Sequence, residues 1–147
     1  MNTEIARNSS NKNDILKTVY SLLRRYHLSP TKKLGQNFLI DEDTYRVIRD
    51  AANLKAGDNI LEVGPGLGIL TEGLLEDIQP DGQLVAVEKD KRLECLLLER
   101  FGARVHFLFQ DARYLQSSAL FGSNNHFKFV GNLPYNAGTY ILRNLLE

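Results

Sequence analysis

ILEVGPGLGIL, residues 60–70, decides how the rest of the chain is read. Ile60, Leu61 and Val63 are strand formers interrupted by one polar residue, Glu62, the pattern of a short strand buried on both faces. Gly64, Gly66 and Gly68 then remove three Cβ atoms within five residues. The backbone can turn sharply there, and a ligand can approach within van der Waals contact. A helix beginning near Ile69 would aim its unpaired N–H groups at the same place. A strand, a glycine turn and a helix N-terminus together suit a nucleotide-like ligand.

The glycine spacing narrows the choice. The dinucleotide fingerprint G-x-G-x-x-G/A requires Gly or Ala at position 69, which is Ile69. The spacing is instead G-x-G-x-G, with Pro65 inside it. It favours a methyl-donor site of the S-adenosylmethionine type over an NAD site and over a turn that binds nothing. An acidic residue about 20 residues on is present, since Glu88 ends the apolar strand 84–87 and could accept both ribose hydroxyls. NAD and S-adenosylmethionine sites share that feature, so it does not separate them.

The 147 residues are enough for one domain with a core, and 43% hydrophobic with 24% charged residues is ordinary for a globular protein. No apolar run approaches the roughly 18 residues of a membrane span, and no signal-peptide pattern is present, so a cytoplasmic location is expected. The single cysteine, Cys95, lies among Leu93, Leu96, Leu97 and Leu98 and is expected to be packed. His27, His106 and His126 are scattered without ligand spacing, so no metal site is expected. Residues 1–36 carry seven basic and two acidic side chains. The cluster Arg24, Arg25, Lys32 and Lys33 reads equally as a phosphate contact or as a solvated face.

Residues 1–12 are polar and Asn-rich and read as a frayed terminus. Helical periodicity follows from Asp14 to Tyr26, stopped by Ser29-Pro30. TKKLGQNFLI, residues 31–40, reads as a loop. Asp41 can cap a second helix to about Asn53, with Tyr45, Val47, Ile48, Ala51 and Ala52 inward. Strands are expected at 59–63, 83–88, 105–109 and 127–131, and helices at 69–77, 91–100 and from about Thr139, with a loop over 132–136. This alternation predicts an α/β fold with a parallel, doubly wound sheet. Gly64, Glu88, Asp111 and Asn132 each fall at the C-terminal end of a successive strand, the edge where such sheets bind ligands. Taken alone, Asp111 reads more readily as a helix cap than as an adenine contact.

GNLPY, residues 131–135, resembles the N/D-[P/I/L]-P-[Y/F/W] signature of methyltransferases that act on exocyclic amines of bases. An adenine N6 amine is a poor nucleophile because its lone pair is delocalised into the ring. The Asn132 side-chain oxygen and the Leu133 carbonyl can accept both N6–H groups, and these bonds strengthen as the nitrogen pyramidalises. Pro134 would stiffen the loop, and Tyr135 offers a ring to stack on an extruded base.

KKLGQNFLID, EVGPGLGILTEGLL, VAVEKD, QDA and GNLPY, in this order, resemble the small-subunit ribosomal RNA adenine N6,N6-dimethyltransferases. Relatives of that family include the macrolide-resistance large-subunit methyltransferases and the mitochondrial transcription factor B proteins. Leu133 favours the small-subunit branch. The resemblance implies a Rossmann-like S-adenosylmethionine-dependent fold and N6 dimethylation of adenosine in small-subunit RNA, linked to ribosome biogenesis. It implies that Asn37 and Leu39 close the cofactor pocket, that Gly64 lies against the methionine part and that Gly66 shapes the turn. It further implies that Glu88 holds the ribose, Asp111 accepts from the cofactor adenine, Asn132 bridges cofactor and target amine, and Tyr135 stacks on the target base. The implied partner is ribosomal RNA or a small-subunit precursor, met by a monomer without metal or membrane. Two rivals remain: a large-subunit adenine methyltransferase of the resistance type, and a non-catalytic RNA-binding assembly factor.

By the same resemblance, residues 1–30 form a leader with one amphipathic helix, which either packs on the core or contacts RNA. Residues 31–147 form the N-terminal part of the catalytic domain. The later strands and a helical RNA-binding domain are expected to be missing, and the chain alone is expected to be inactive.

Overall fold

A computed structural model describes residues 2–29, 42–116, 118, 120–122, 126–133 and 135–146; of residues 2–13, 42, 135, 136 and 146 it describes the backbone alone. Four parallel strands form one sheet: β1 (Asn59–Val63), β2 (Gln83–Glu88), β3 (His106–Phe109) and β4 (Lys128–Gly131), in the order β3-β2-β1-β4. The strand that leads into the glycine-rich turn, β1, is therefore interior, with β2 and β4 as its neighbours. The register aligns Val63 with Val87 and with Gly131, so the C-terminal ends of the three strands lie side by side.

Side chains alternate across this sheet, and each face has its own apolar layer. Ile60, Leu84, Ala86 and Val130 pack with α3 (Ile69–Ile78) and α4 (Glu94–Phe101), through Leu70, Leu74, Ile78, Leu96, Leu97 and Phe101. Leu61, Val63, Val85 and Val87 pack on the opposite face with Ala112, Leu115 and Ile141. Ile141 comes from α5 (Tyr135–Leu146). Burial on both faces explains why the strands read as apolar runs without polar alternation.

Two further helices join the first layer. α1 (Asn2–Arg25) contributes Val19, 2% exposed, with Ile15, Leu22, Leu23 and Tyr26 beside it. Arg25 and Tyr26 both donate to the Glu99 carboxylate of α4. This helix begins at Asn2 rather than near Asp14, so the polar segment expected to fray is helical. The chain leaves α1 through His27 at φ 51°, with Leu28 N–H donating to Leu23 O at 2.9 Å.

α2 (Glu42–Ala52) turns Tyr45, Ile48 and Ala52 toward the core. Val47, 66% exposed, and Ala51 face outward, because five inward positions span a wider arc than one helix face offers. The capping role expected of Asp41 lies outside the described residues. The Tyr45 ring packs where a Cβ on Gly73 would stand, and Arg49 clamps α2 to α3 by pairing with Asp77, Nε to Oδ2 at 2.8 Å.

Four further element starts differ from expectation. Residues 91–93 form a tight turn, capped by Asp90, before α4 starts at Glu94. α5 begins at Tyr135 and not near Thr139. β3 and β4 each start one residue late. Cys95 is exposed and not packed: Leu93, Leu96 and Leu97 take the inner face of this stretch, leaving Cys95 and Leu98 outside.

Glu62 is the exception in β1. It is 1% exposed and accepts a hydrogen bond from Thr71 Oγ1 of α3 at 2.8 Å. Burial pushes its carboxyl up to about 8 from an ordinary 4.5, against the hydroxyl donor, and nearby Glu88 adds to the rise. Because the folded-state pKa is raised, its contribution to stability is full below the ordinary value and is lost as pH rises toward about 8.

Two outcomes follow from this packing. Leu74→Ala, at a fully buried α3 position, costs about 2–5 kcal/mol in urea unfolding, whereas Val47→Ala stays within about 0.5 kcal/mol. Equal effects would contradict the observed face of α2. Between about pH 5 and pH 8 the wild type loses stability with each pH unit through Glu62. Glu62→Gln removes that component of the slope, and parallel pH curves for the two proteins would rule it out.

Candidate functional site

The site begins where β1 ends. Gly64, Gly66 and Gly68 all have positive φ, 75°, 58° and 81°, a conformation that residues with a Cβ adopt with strain. Gly64 N–H donates to Val87 O at 2.9 Å, and Gly68 N–H closes a turn onto Pro65 O at 2.9 Å. A Cβ on Gly68 would also overlap the Phe101 ring, so α4 props the loop from behind. Arg100 of α4 holds the same loop, donating to Leu67 O and to Glu72 at 3.1 Å. α3 then starts at Ile69 with no side chain capping its N-terminus.

Glu88, the last residue of β2, is 6% exposed. One carboxylate oxygen accepts from Gly66 N–H at 3.1 Å and the other from Asp90 N–H at 2.8 Å. Burial raises its pKa, while the Asp90 and Gly66 N–H groups favour the charged form and oppose the rise. Glu88 therefore braces the glycine loop as well as standing beside it.

Asp111 follows β3 and caps the turn Ala112–Tyr114, accepting from Arg113 N–H at 3.0 Å. The Arg113 guanidinium adds a contact at 2.7 Å and Lys89 Nζ another at 2.9 Å. Arg113 first, and Lys89 with it, hold this carboxyl well below the usual carboxylate range. The capping role suggested for Asp111 is thus real, and its position at the strand end is real as well. Asp90 repeats the arrangement after β2: it accepts from Arg92 N–H at 3.1 Å and from the Arg92 guanidinium at 2.6 Å. Two D-x-R units, 90–92 and 111–113, therefore pin adjacent loops at one sheet edge.

The loop after β4 reaches the same edge. A Cβ on Gly131 would come within 3.0 Å of Val63 O, so glycine lets β4 end tightly against β1. A Cβ on Gly64 would stand 3.6 Å from Asn132 O, which places the first and fourth loops in contact. Asn132 is exposed and Leu133 packs into the α5 layer.

The structure thus brings Gly64, Gly66, Glu88, Asp111, Asn132 and Leu133 to one edge of the sheet. Asn37, Leu39 and Pro134 lie outside the described residues, and of Tyr135 only its place at the start of α5 is described. Lys89, Arg100, Arg113 and the Glu62–Thr71 pair escape the sequence reading. The repeated D-x-R pattern and the lone acid of β1 are the signals that could have found two of these, Arg113 and the Glu62–Thr71 pair; Lys89 and Arg100 have none, because their partners lie on other elements. Among the described residues no group of three or more His, Cys, Asp or Glu is placed to hold a metal ion. No helix among them is long and apolar enough to cross a membrane.

With this geometry in hand, likeness to known proteins is informative. Residues 28–147 match the profile of the family described as Ribosomal RNA adenine dimethylase. The chain is 41% identical over 128 residues to the Ribosomal RNA small subunit methyltransferase A of Dehalococcoides mccartyi, covering 86% of this chain and 43% of that protein. It is 42% identical over 129 residues to the protein of that name from Magnetococcus marinus, covering 86% and 45%. The chain therefore spans less than half the length of these curated relatives. Among solved structures, 23S rRNA methyltransferase ErmE superposes with a TM-score of 0.63 at 30% identity, over 76% of this chain and 43% of that one. A dimethyladenosine transferase from Plasmodium falciparum superposes with a TM-score of 0.59 at 22% identity, over 72% and 37%, a likeness of fold. The four parallel strands are those of the Rossmann-like methyltransferase fold, and the extent of the family match leaves one conclusion: the chain belongs to the ribosomal RNA adenine dimethylase family.

Proposed function

We propose that this chain forms the cofactor-binding part of an S-adenosylmethionine-dependent enzyme that dimethylates adenosine N6 in small-subunit ribosomal RNA. The observation that carries the reading is the meeting of four strand-end loops at one edge, three bearing the glycine turn, Glu88 and Asp111 and the fourth bearing GNLPY. The residues present fit the cofactor. Gly64 leaves a cradle whose nearest occupant to an added Cβ is a backbone oxygen at 3.6 Å. The Glu88 oxygens accept from Gly66 N–H and Asp90 N–H, one on each, and a carboxylate with about four acceptor sites keeps capacity for a ribose hydroxyl. Asp111 would accept from an adenine amine once one of its present donors gives way, Asn37 and Leu39 would close the pocket, and residues 31–147 would be the N-terminal part of the catalytic domain. S-adenosylmethionine, when bound, supplies an electrophilic methyl group.

The work of the protein is then positioning. The Asn132 side-chain oxygen and the Leu133 carbonyl would accept the N–H groups of the target amine and favour its pyramidal form. Pro134 would keep that loop stiff, and Tyr135 would stack on the extruded base. In-line transfer needs no covalent protein intermediate, so holding donor and acceptor together supplies the catalysis. The partner would be a small-subunit precursor, engaged in the cytoplasm by a monomer without metal. Likeness to ErmE favours a second reading, action on large-subunit RNA. Leu133 and the small-subunit names of relatives at 41% and 42% identity weigh toward the first.

Two experiments test this. In calorimetric titration the wild-type chain binds S-adenosylmethionine and not NAD, and Glu88→Gln weakens binding at least tenfold, about 1.4 kcal/mol. Unchanged affinity in a variant folded by circular dichroism would remove Glu88 from the ribose site. Primer extension across both ribosomal RNAs, from cells with Asn132→Ala in the chromosomal gene, should show loss of methyladenosine stops in the small-subunit RNA. Loss confined to large-subunit RNA would establish the second reading instead.

A further inference from the structure

Asp111 has no acceptor position to spare. Oδ1 accepts from Arg113 N–H at 3.0 Å and Arg113 Nε at 3.1 Å. Oδ2 takes Arg113 Nε at 3.1 Å, the Arg113 terminal nitrogen at 2.7 Å and Lys89 Nζ at 2.9 Å. A carboxylate has about four lone-pair sites, so an incoming adenine amine must displace a donor. The two donors are unequal. Arg113 is held by four contacts, one through its own backbone N–H in the cap. Lys89 makes one contact, and its side chain is 52% exposed. Its ammonium can swing into water on a flexible stem at small cost. Lys89 also directly follows Glu88, so it stands between the ribose-binding and adenine-binding positions of the proposed site.

We propose that Lys89 sets the affinity of the adenine subsite by competition: its ammonium holds on Asp111 the acceptor position that a purine 6-amine takes, and ligand binding displaces it to solvent. The proposal rests on the cofactor reading above. It assigns Lys89 a specificity role that is independent of methyl transfer, and it makes the subsite self-satisfied when empty. A half-buried carboxylate that must wait for a ligand otherwise leaves one acceptor position unfilled, even with its charge paired to Arg113. Lys89 fills that position here and remains replaceable, because an exposed ion pair is weak.

The test is calorimetric titration of the full chain with S-adenosylhomocysteine, for wild type, Lys89→Met, Asp111→Asn and the double variant. Lys89→Met should bind about two- to fivefold more tightly than wild type in low salt, the range of an exposed ion pair. The gain should shrink in about 0.5 M salt, where such pairs are screened. It should also vanish in the Asp111→Asn background, where there is no anion to compete for. Equal or weaker binding by Lys89→Met overturns the proposal. A gain that persists in Asp111→Asn overturns it as well, since it would come from apolar contact with the purine. If neither wild type nor Lys89→Met binds, with both folded by circular dichroism, the cofactor reading itself falls and the proposal with it. Wild-type binding without a Lys89 effect removes the proposal alone.

Discussion

The hydrogen bonds from Gly66 N–H and Asp90 N–H to the Glu88 carboxylate are what the site depends on. They fasten the glycine loop of β1 to the end of β2, and they do so from a position only 6% exposed. A loop of three positive-φ glycines has little stiffness of its own. Its shape is imposed by neighbours: Glu88 in front, the Phe101 ring and the Arg100 guanidinium behind, and Val87 O at its start. The loop is thus rigid where a ligand would need its backbone, although its sequence is the most permissive in the chain.

Two acids share that side of the sheet. Glu62 and Glu88 are both buried, both have raised pKa values, and Glu88 adds to the rise at Glu62. Their partners differ. Glu62 has one hydroxyl donor, whereas Glu88 has backbone N–H groups that favour its charged form. The environment therefore distinguishes two like residues by the donors each one meets. Asp111 goes the opposite way, held in its charged form by Arg113 and Lys89.

The helical layer shows how the domain supports this edge from a distance. α1 inserts Val19 into the core cluster and meets Glu99 through Arg25 and Tyr26. Glu99 precedes Arg100 and Phe101, the two residues that brace the glycine loop. α2 is fixed to α3 by Tyr45 against Gly73 and by the Arg49–Asp77 pair. Both helices flank, in the sequence, the segment that carries Asn37 and Leu39, so their docking fixes the described residues on either side of it.

The sequence by itself determined the strand and helix alternation, the parallel doubly wound class and the edge where the site lies. These signals are local: apolar runs bounded by turns, glycines at fixed offsets, and polar residues directly after strands. β1 and β2 follow their expected limits because nothing in Asn59–Val63 or Gln83–Glu88 competes with strand. Tertiary structure alone decided the outward face of Val47, Ala51 and Cys95. It also decided the Arg100 and Lys89 contacts, which join residues 33 and 22 positions from their partners. Which apolar position faces inward, and which cation meets which anion, depends on the neighbour that packing delivers, and one chain's local pattern does not contain that neighbour.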